Sequence, residues 1–362
     1  MPAYWRKCCC WTGRMSKSYV AIWAILLLLA ACGPATTVTP AIAPTASPTP
    51  TETVTAIPTE TQTLTPTATA TSEPEWYRPL DASLGGLKYQ YAEVTNAHAR
   101  VYATIDDAVA QNGNYGHLPN FPAYVAYTAT KMGSNGSTYY LINYGWIVAE
   151  DLRLLTPSTF TGLLLTREVP FRFGWVLADT ESVSSSGAPV RDYKRFEVVH
   201  EAAASVEKAG YISVGEDEWL PETAVALTSV QVPADAGPNT CRFIYANLSA
   251  EILTVFDGCK LVFATLIATG KNSWTFTGRF AILNKWEYLT INSPDWSASD
   301  YYMEGIPDFM SYAGDFGFHG NYWNAEFGSA SSHGCINLSP ADAKWLYQWA
   351  GLGERVIISK GN

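Results

Sequence analysis

The sequence predicts a mostly β protein with a short helix near its C-terminal end. Residues 243–247, 252–256 and 261–265 follow a period of two, which predicts strands. Residues 257–258 (Asp-Gly) lie between the last two segments and are a hairpin signal. Residues 339–342 (Ser-Pro-Ala-Asp) supply an N-cap serine, a proline at the first helical position and a carboxylate at N3, so a helix should begin there.

Composition restricts the class of protein. The chain has 362 residues, enough for two or three domains, and carries a net charge of −10. Aromatic residues make up 13% of it and charged residues 15%. An acidic, aromatic-rich chain argues against nucleic acid as a partner and suits an exported protein that handles sugars or peptides.

Residues 1–31 predict a targeting segment. Basic residues precede a short apolar run over 19–31, which is too short for a transmembrane helix. The run ends in Leu-Ala-Ala-Cys-Gly, which resembles a lipobox. In that interpretation the signal peptide is removed, and Cys32 becomes diacylated and forms the new N-terminus. The protein would then be lipid-anchored to the outer face of the cytoplasmic membrane, facing the cell wall.

An ordinary signal peptide and an uncleaved signal anchor are the alternatives for this segment. Met15 is an alternative start, because the residues that follow it already form a complete signal. The three cysteines at 8–10 would be absent or removed in the lipoprotein interpretation, so they do not indicate a metal cluster.

Residues 32–75 consist mainly of Thr, Pro, Ala and Ser. Such a composition cannot form a core and predicts a disordered tether that proline stiffens. The tether would place the folded part away from the membrane and towards the wall.

Residues 76–235 predict short strands separated by turns. Residues 139–147 form one predicted strand that ends in Gly-Trp-Ile, which resembles the closing strand of a bacterial Src-homology-3-like barrel. A second pattern of this kind runs over 195–220. We therefore expect one or two small N-terminal β-barrels, namely a Src-homology-3-like barrel at 76–156 and a second small β module at 157–235. They would bind or space the wall, although their aromatic residues can equally form cores.

Residues 332–338 (Ser-His-Gly-Cys-Ile-Asn-Leu) carry the main chemical signal of the chain. A cysteine becomes a nucleophile near neutral pH when an imidazole can take its proton. Two histidines are candidates for this task at Cys335. His333 is two residues away, and on an extended segment it would point the same way as Cys335. His319 lies sixteen positions earlier and can face the thiol from another strand.

The same residues resemble the signature of the L,D-transpeptidases (the YkuD family). The resemblance rests on residues 319–320 (His-Gly), a spacer and then Ser-His-Gly-Cys at 332–335, and it covers residues 240–359. Residues 277–280 (Thr-Gly-Arg-Phe) resemble the family's Thr-Pro-x-Gly turn, although Phe276 stands near the usual proline. The resemblance implies an L,D-transpeptidase-type β-sandwich with a short C-terminal helix.

The resemblance also implies roles for the site residues. Cys335 would be the nucleophile, and His319 would be the base, with its ring oriented by the backbone carbonyl of Gly320. His333 and Gly334 would line the acyl pocket, and the N–H groups of Gly334 and Cys335 would form the oxyanion hole. Two further residues would support the loop: Ser332 and Asn337.

The implied activity is that of a peptidoglycan L,D-transpeptidase in cell wall biogenesis. The cysteine would attack the third residue of a tetrapeptide stem, expel D-alanine and pass the acyl group to the side-chain amine of a second stem. The expected partners are stem peptides and, through the lipid, the membrane. We expect a monomer with no cofactor and no metal.

The sequence leaves several alternatives open. Water as acceptor would make the protein an L,D-carboxypeptidase. A cysteine peptidase of NlpC type has its cysteine before its histidine, whereas here His319 precedes Cys335. A zinc site formed by these two residues and His333 would lack a fourth ligand. A non-catalytic wall-binding lipoprotein would be favoured by loss of a motif residue, and the motif is complete.

Two further expectations concern the region before the motif. Cys241 and Cys259 flank the first two predicted strands of the meander, so in an exported protein they can pair as a disulfide. Residues 285–318 are rich in aromatic residues and turn signals, and they predict an irregular insertion that acts as a lid or packs into the core.

Overall fold

The computed structural model describes residues 76–203, 207–237, 241–293 and 300–361. The predicted signal peptide, the tether and Cys32 lie outside the described residues. Within those described ranges, no helix is long and apolar enough to cross a membrane.

The first part of the described chain consists of short strands and a short α-helix. Helix α1 (Ile105–Ala110) begins after Thr104, whose side-chain oxygen accepts the N–H of Asp107 at 3.1 Å. The strands are β1 (Tyr77–Pro79), β2 (Gln90–Val94), β3 (Val101–Tyr102), β4 (Tyr115–Gly116), β5 (Ala123–Tyr127), β6 (Ala129–Met132), β7 (Thr138–Ile142), β8 (Gly145–Val148), β9 (Leu152–Leu154), β10 (Leu163–Leu165), β11 (Phe173–Val176), β12 (Thr180–Val183), β13 (Pro189–Tyr193), β14 (Val198–His200), β15 (Tyr211–Gly215), β16 (Glu218–Pro221) and β17 (Val225–Thr228).

The second part contains the predicted meander and the predicted helix, and both are confirmed. Helix α2 (Pro340–Trp349) begins after Ser339, whose side-chain oxygen accepts the N–H of Asp342 at 3.2 Å. The strands are β18 (Phe243–Asn247), β19 (Ile252–Asp257), β20 (Lys260–Leu266), β21 (Gly278–Ala281), β22 (Asn284–Asn292), β23 (Tyr302–Ala313), β24 (Phe316–Gly320), β25 (Ile336–Leu338) and β26 (Arg355–Ser359).

The β19–β20 hairpin turns one residue later than the sequence signal indicated. Gly258 and Cys259 are its two central residues, and both have positive φ, at 59° and 65°. A two-residue turn with this conformation matches the twist of antiparallel strands. Cys259 donates its N–H to the carbonyl of Cys241 at 2.8 Å and forms a disulfide with that residue.

Two seven-stranded sheets form a sandwich, with α2 packed into the same core. The first sheet has the order β1-β10-β20-β19-β18-β26-β21, and the second runs β25-β24-β23-β5-β2-β9 with β22 beside β23. The shared core contains side chains from both sheets and from α2: Ile244, Leu253, Val255, Phe263, Met310, Phe318, Ile336, Leu338, Ala343 and Leu346. This sandwich confirms the predicted fold class.

Both sheets cross the boundaries of the predicted domains. In the second sheet β5 pairs with the start of β23 in parallel, with Tyr302 opposite Ala123. In the first sheet β10 pairs with β20 and also with β1, which lies on the other side of the predicted boundary at residue 156. Among the described residues, three smaller sheets have the orders β4-β3-β8-β7-β6, β14-β11-β17 and β13-β12-β16-β15. The domain division and the Src-homology-3-like character of residues 76–156 stay predictions.

Two expectations about single segments were wrong. Residues 139–147 form a hairpin of β7 and β8 rather than one strand, because the chain turns before Gly145, whose φ is 132°. Most of residues 285–318 is regular, because β22 and β23 pair along their length. In that segment, residues 294–299 lie outside the described part of the chain.

Candidate active site

The candidate site is built on two adjacent parallel strands, β24 and β25. In their register Phe318 pairs with Ile336, and His319 pairs with Asn337. Paired residues point to the same face of a sheet, and side chains alternate between faces along a strand. Cys335 is two positions before Asn337, so the alternation places its side chain on the same face as that of His319.

The packing of the two faces agrees with this placement. Phe318 and Ile336 point into the shared core of the sandwich. Cys335 belongs to a different cluster on the other face, together with Phe309 and Trp323. The candidate site therefore lies on the face of the second sheet that is turned away from the sandwich core.

His319 is buried, and one of its ring nitrogens is hydrogen-bonded to the backbone. Its Nδ1 lies 3.2 Å from the carbonyl oxygen of Gly320, and its ring stacks against Phe309 at a centroid distance of 5.6 Å. A carbonyl can only accept, so Nδ1 carries the proton and Nε2 has the free lone pair. Burial lowers the pKa of His319 to about 4, and the hydrogen bond to Gly320 opposes that shift. The imidazole is therefore neutral near pH 7 and can accept a proton.

Cys335 is half-buried and immediately precedes β25. Burial raises the pKa of its thiol to about 11, the N–H of Gly317 lowers that pKa, and Asp315 raises it further. The sulfur also lies 3.7 Å from the carbonyl oxygen of Asp315, to which the thiol can donate. A neutral thiol thus shares a sheet face with a neutral imidazole, and this combination suits general-base catalysis better than a preformed thiolate.

The loop before Cys335 is closed by the hydroxyl of Ser332. Its Oγ donates to the carbonyl of Cys335 at 2.6 Å and accepts the N–H of Gly334 at 3.0 Å. Ser332 thus has the geometry of the predicted loop support. The Gly334 N–H is used within the loop, however, so it does not face a substrate as the oxyanion prediction requires. Of the predicted pair of donors, the N–H of Cys335 has no acceptor among the described residues.

His333 has different surroundings from His319. Its ring is stacked between Trp274, at a centroid distance of 5.6 Å, and Tyr301, at 4.8 Å. Partial burial between these rings, with Lys271 nearby, lowers the pKa of His333. The expected extended segment is interrupted, because Gly334 has a φ of 129°. The structure therefore gives His333 a stacked position rather than the extended alternation with Cys335 that the sequence suggested.

Asn337 supports the loop through its backbone rather than through its amide. It exchanges two backbone hydrogen bonds with Ala268, at 2.9 and 3.0 Å. The side chain is buried, and its Oδ1 has no hydrogen-bond partner among the described residues. Because Asn337 is paired with His319, this oxygen is available on the face that carries the site.

Several aromatic residues around the site could not be assigned to it from the sequence. Phe309, Trp323, Trp274 and Tyr301 contact the two histidines, yet none belongs to a recognisable motif. The one available signal was the density of aromatic residues before the motif. In the described part of the chain, no three His, Cys, Asp or Glu side chains come together to hold a metal ion.

Comparison with known protein families identifies the region that contains these strands. The profile of the YkuD family, L,D-transpeptidase catalytic domain, matches residues 242–358. This match confirms the predicted catalytic domain over those residues. The site residues all lie within this range.

Individual relatives are distant. YciB of Bacillus subtilis (strain 168), which is named as a candidate L,D-transpeptidase, is 26% identical over 133 residues, covering 32% of this chain and 65% of its own length. The catalytic domain of an Enterococcus faecium L,D-transpeptidase is 26% identical, with 34% of this chain and 99% of that chain covered and a TM-score of 0.31. For an L,D-transpeptidase from Mycobacterium smegmatis the identity is 17%, the coverage 55% and 89%, and the TM-score 0.31.

Proposed function

We propose that this protein is a peptidoglycan L,D-transpeptidase that works through a thioester on Cys335. The observation that carries the proposal is the pairing of β24 with β25. It puts the neutral imidazole of His319 and the thiol of Cys335 on one face of the sheet. The match of residues 242–358 to the catalytic domain supports the same assignment.

In the first half-reaction, Cys335 Sγ attacks the carbonyl carbon of the third stem residue while its proton passes to His319 Nε2. The oxyanion that forms is stabilised by the N–H of Cys335. The peptide C–N bond then breaks, His319 returns the proton to the amine of D-alanine, and the thioester remains. In the second half-reaction, the side-chain amine of another stem attacks the thioester. Its proton passes through His319 to the departing thiolate, and an amide joins the two stems.

Mass spectrometry of stem peptides tests this proposal directly. The protein is incubated with tetrapeptide stems, and we expect release of D-alanine and stems joined between their third residues. Tripeptide stems without joined products would identify an L,D-carboxypeptidase instead. The control is Cys335→Ala, which should form neither product nor a covalent adduct with a carbapenem while keeping its fold. Absence of both reactions in the wild-type protein would refute the proposal.

We further propose that the protein is held at the outer face of the cytoplasmic membrane by lipid on Cys32. A proline-rich chain extends by about 3.1 Å per residue, so the tether could span on the order of a hundred ångströms towards the wall. The test is the mature mass and detergent partitioning of wild type and Cys32→Ser. Identical behaviour of the two would contradict lipid anchoring. In this proposal the N-terminal β modules contact the wall or hold the rest of the protein at a distance from it.

A further inference from the structure

Thr275 lies behind the loop that carries Cys335, and its side chain joins two backbone segments. The residue is 2% exposed. Its Oγ1 accepts the N–H of Gly270 at 2.7 Å and donates to the carbonyl of Gly334 at 2.7 Å. Because an N–H can only donate and a carbonyl can only accept, the direction of both bonds is fixed. The hydroxyl therefore has both a donor and an acceptor.

The loop that carries Cys335 closely approaches the segment that contains Thr275. Lys271 donates its N–H to the carbonyl of Ser332 at 3.0 Å. A Cβ added at Gly270 would lie 2.6 Å from the backbone nitrogen of Thr275 and 2.8 Å from the Cα of Gly334. The loop therefore packs closely against the segment 270–275, and the hydrogen bond from Thr275 is part of that contact.

The bond to Gly334 determines where the N–H of Cys335 points. These two groups belong to one peptide unit, and in a trans peptide the carbonyl and the N–H point in opposite directions. When Thr275 Oγ1 holds the carbonyl, the Cys335 N–H is directed away from Thr275. That N–H has no acceptor among the described residues, whereas the neighbouring N–H of Gly334 is bonded to Ser332.

We propose that Thr275 is a positioning residue that orients the Cys335 N–H towards the oxyanion of the acyl-transfer reaction. The inference rests on the proposed function, because it assumes that Cys335 attacks a carbonyl. Thr275 is placed outside direct contact with the substrate and acts through the Gly334–Cys335 peptide. Its hydroxyl fixes the donor before the substrate arrives, so the donor does not have to reorganise during the reaction.

The test compares two reactions of the same thiol in the full chain. Acylation by a carbapenem passes through a tetrahedral oxyanion, whereas alkylation by iodoacetamide does not. In Thr275→Val, which keeps the shape and removes the hydroxyl, we expect acylation to slow by about 10- to 100-fold. The rate of alkylation of Cys335, measured by mass spectrometry of the peptide that contains it, should change less than about twofold at each pH. Alkylation needs only the thiol and the base. Thr275→Ser keeps the oxygen and should restore most of the acylation rate.

Thr265→Val is the matched control for the loss of a buried hydroxyl. Thr265 is fully buried on β20 and donates to Asp342 at 2.5 Å, outside the loop. Melting temperatures of all variants measure any general loss of stability. We expect Thr265→Val to lower the melting temperature without separating the two reaction rates.

The outcomes separate this inference from the proposed function. If wild type is acylated and Thr275→Val is acylated as fast, the positioning role is refuted and the proposed function stands. If acylation and alkylation fall together in Thr275→Val, the hydroxyl merely holds the loop in place and the positioning role is again refuted. If the wild-type protein forms no adduct at all, both the proposed function and this inference are refuted.

Discussion

The surroundings of His319 and His333 differ in burial and in hydrogen bonding. His319 is 3% exposed, with Nδ1 bonded to a carbonyl, and it lies on the strand paired with the one that follows Cys335. His333 is nearer in sequence but is less buried, and its ring is stacked between two others. Strand register, rather than distance along the chain, therefore determines which imidazole shares a face with the thiol.

The largest effect on the acylation rate should come from His319→Ala. Removal of the base should slow acylation by about 10²–10⁴-fold, as is typical for general acid–base catalysis. In wild type the rate should fall only as pH drops towards about 4, where His319 becomes protonated. In the variant that acid limb should vanish, and the rate should rise with pH as thiolate forms towards the Cys335 pKa of about 11.

Acylation by a carbapenem, measured from pH 3.5 to 10, checks this prediction, because it needs no acceptor. The control is His200→Ala, since His200 is an exposed histidine on β14, outside the candidate site. An acid limb that persists in His319→Ala would show that another group is the base.

Gly334→Ala should give the next largest effect. Gly334 lies between His333 and Cys335 in the loop, and its conformation positions both residues. Its φ is 129°, and an added Cβ would lie 2.3 Å from the ring of Phe316. Moving the loop to relieve that clash should cost about 1–3 kcal/mol of stability and slow acylation by about tenfold or more.

The control for the glycine conformation alone is Gly187→Ala, where φ is 88° and nothing lies within 4 Å of the added Cβ. It should lose about 1 kcal/mol from the left-handed backbone and keep its acylation rate. Thermal unfolding and acylation measured side by side would contradict the prediction if the two variants behaved alike.

His333→Ala should have a smaller effect that leaves the acid limb in place. Loss of the ring between Trp274 and Tyr301 should slow acylation by about tenfold or less, through a looser pocket. His333→Phe keeps an aromatic ring without the nitrogens, so it should recover most of the rate. If phenylalanine fails to recover the rate and the acid limb moves in both variants, His333 acts as a base and the comparison between the two histidines is wrong.

Glu251→Gln should have the smallest effect, confined to the pH dependence of stability. Glu251 is 6% exposed and accepts the N–H and hydroxyl of Thr269, whose carbonyl in turn accepts the N–H groups of Ser331 and Ser332. Burial raises the pKa of Glu251 from 4.5 to about 7, against the hydrogen bonds from Thr269. Between those values the folded state keeps a proton that the unfolded state loses, so the free energy of unfolding should fall as pH rises from about 4.5 to about 7.

Denaturant unfolding at pH 5 and pH 8 measures this decrease. Glu251→Gln should reduce it by about 2 kcal/mol, because glutamine does not titrate. The remaining decrease would come partly from Asp342, whose pKa burial raises to about 6. An equal decrease in wild type and variant would show that Glu251 ionises in the folded protein as it does in the unfolded chain.

The sequence was informative where the signal is local. The positions of the strands at 243–265 and the cap at Ser339 were predicted correctly, because both depend on neighbouring residues. The strands are buried on both faces, however, because a sheet neighbour and a second packing layer cover them. The assignment of Cys335 and His319 came from a short motif, and it stays a prediction that the described geometry supports. The stacking of His333 could not be predicted, since Trp274 and Tyr301 come from two other segments.

Long-range strand pairing could not be predicted from the sequence. The pairing of β5 with β23 joins residues far apart in the chain, and no local pattern specifies a partner strand. The aromatic residues and turn signals of 285–318 predict an irregular segment, because the sequence does not show the partner strand that orders them. In the structure Trp286 packs beside Phe309 across the β22–β23 pair.

The sheets shared between the two parts of the chain limit how this fold can be recombined. A fragment cut at residue 242 would expose an edge of β23 and an edge of β20, where β5 and β10 now pair. Open edges of this kind invite intermolecular pairing and insoluble material. For expression, immobilisation or fusion to other proteins, the transferable unit is therefore residues 76–361 and not the segment 242–358 alone.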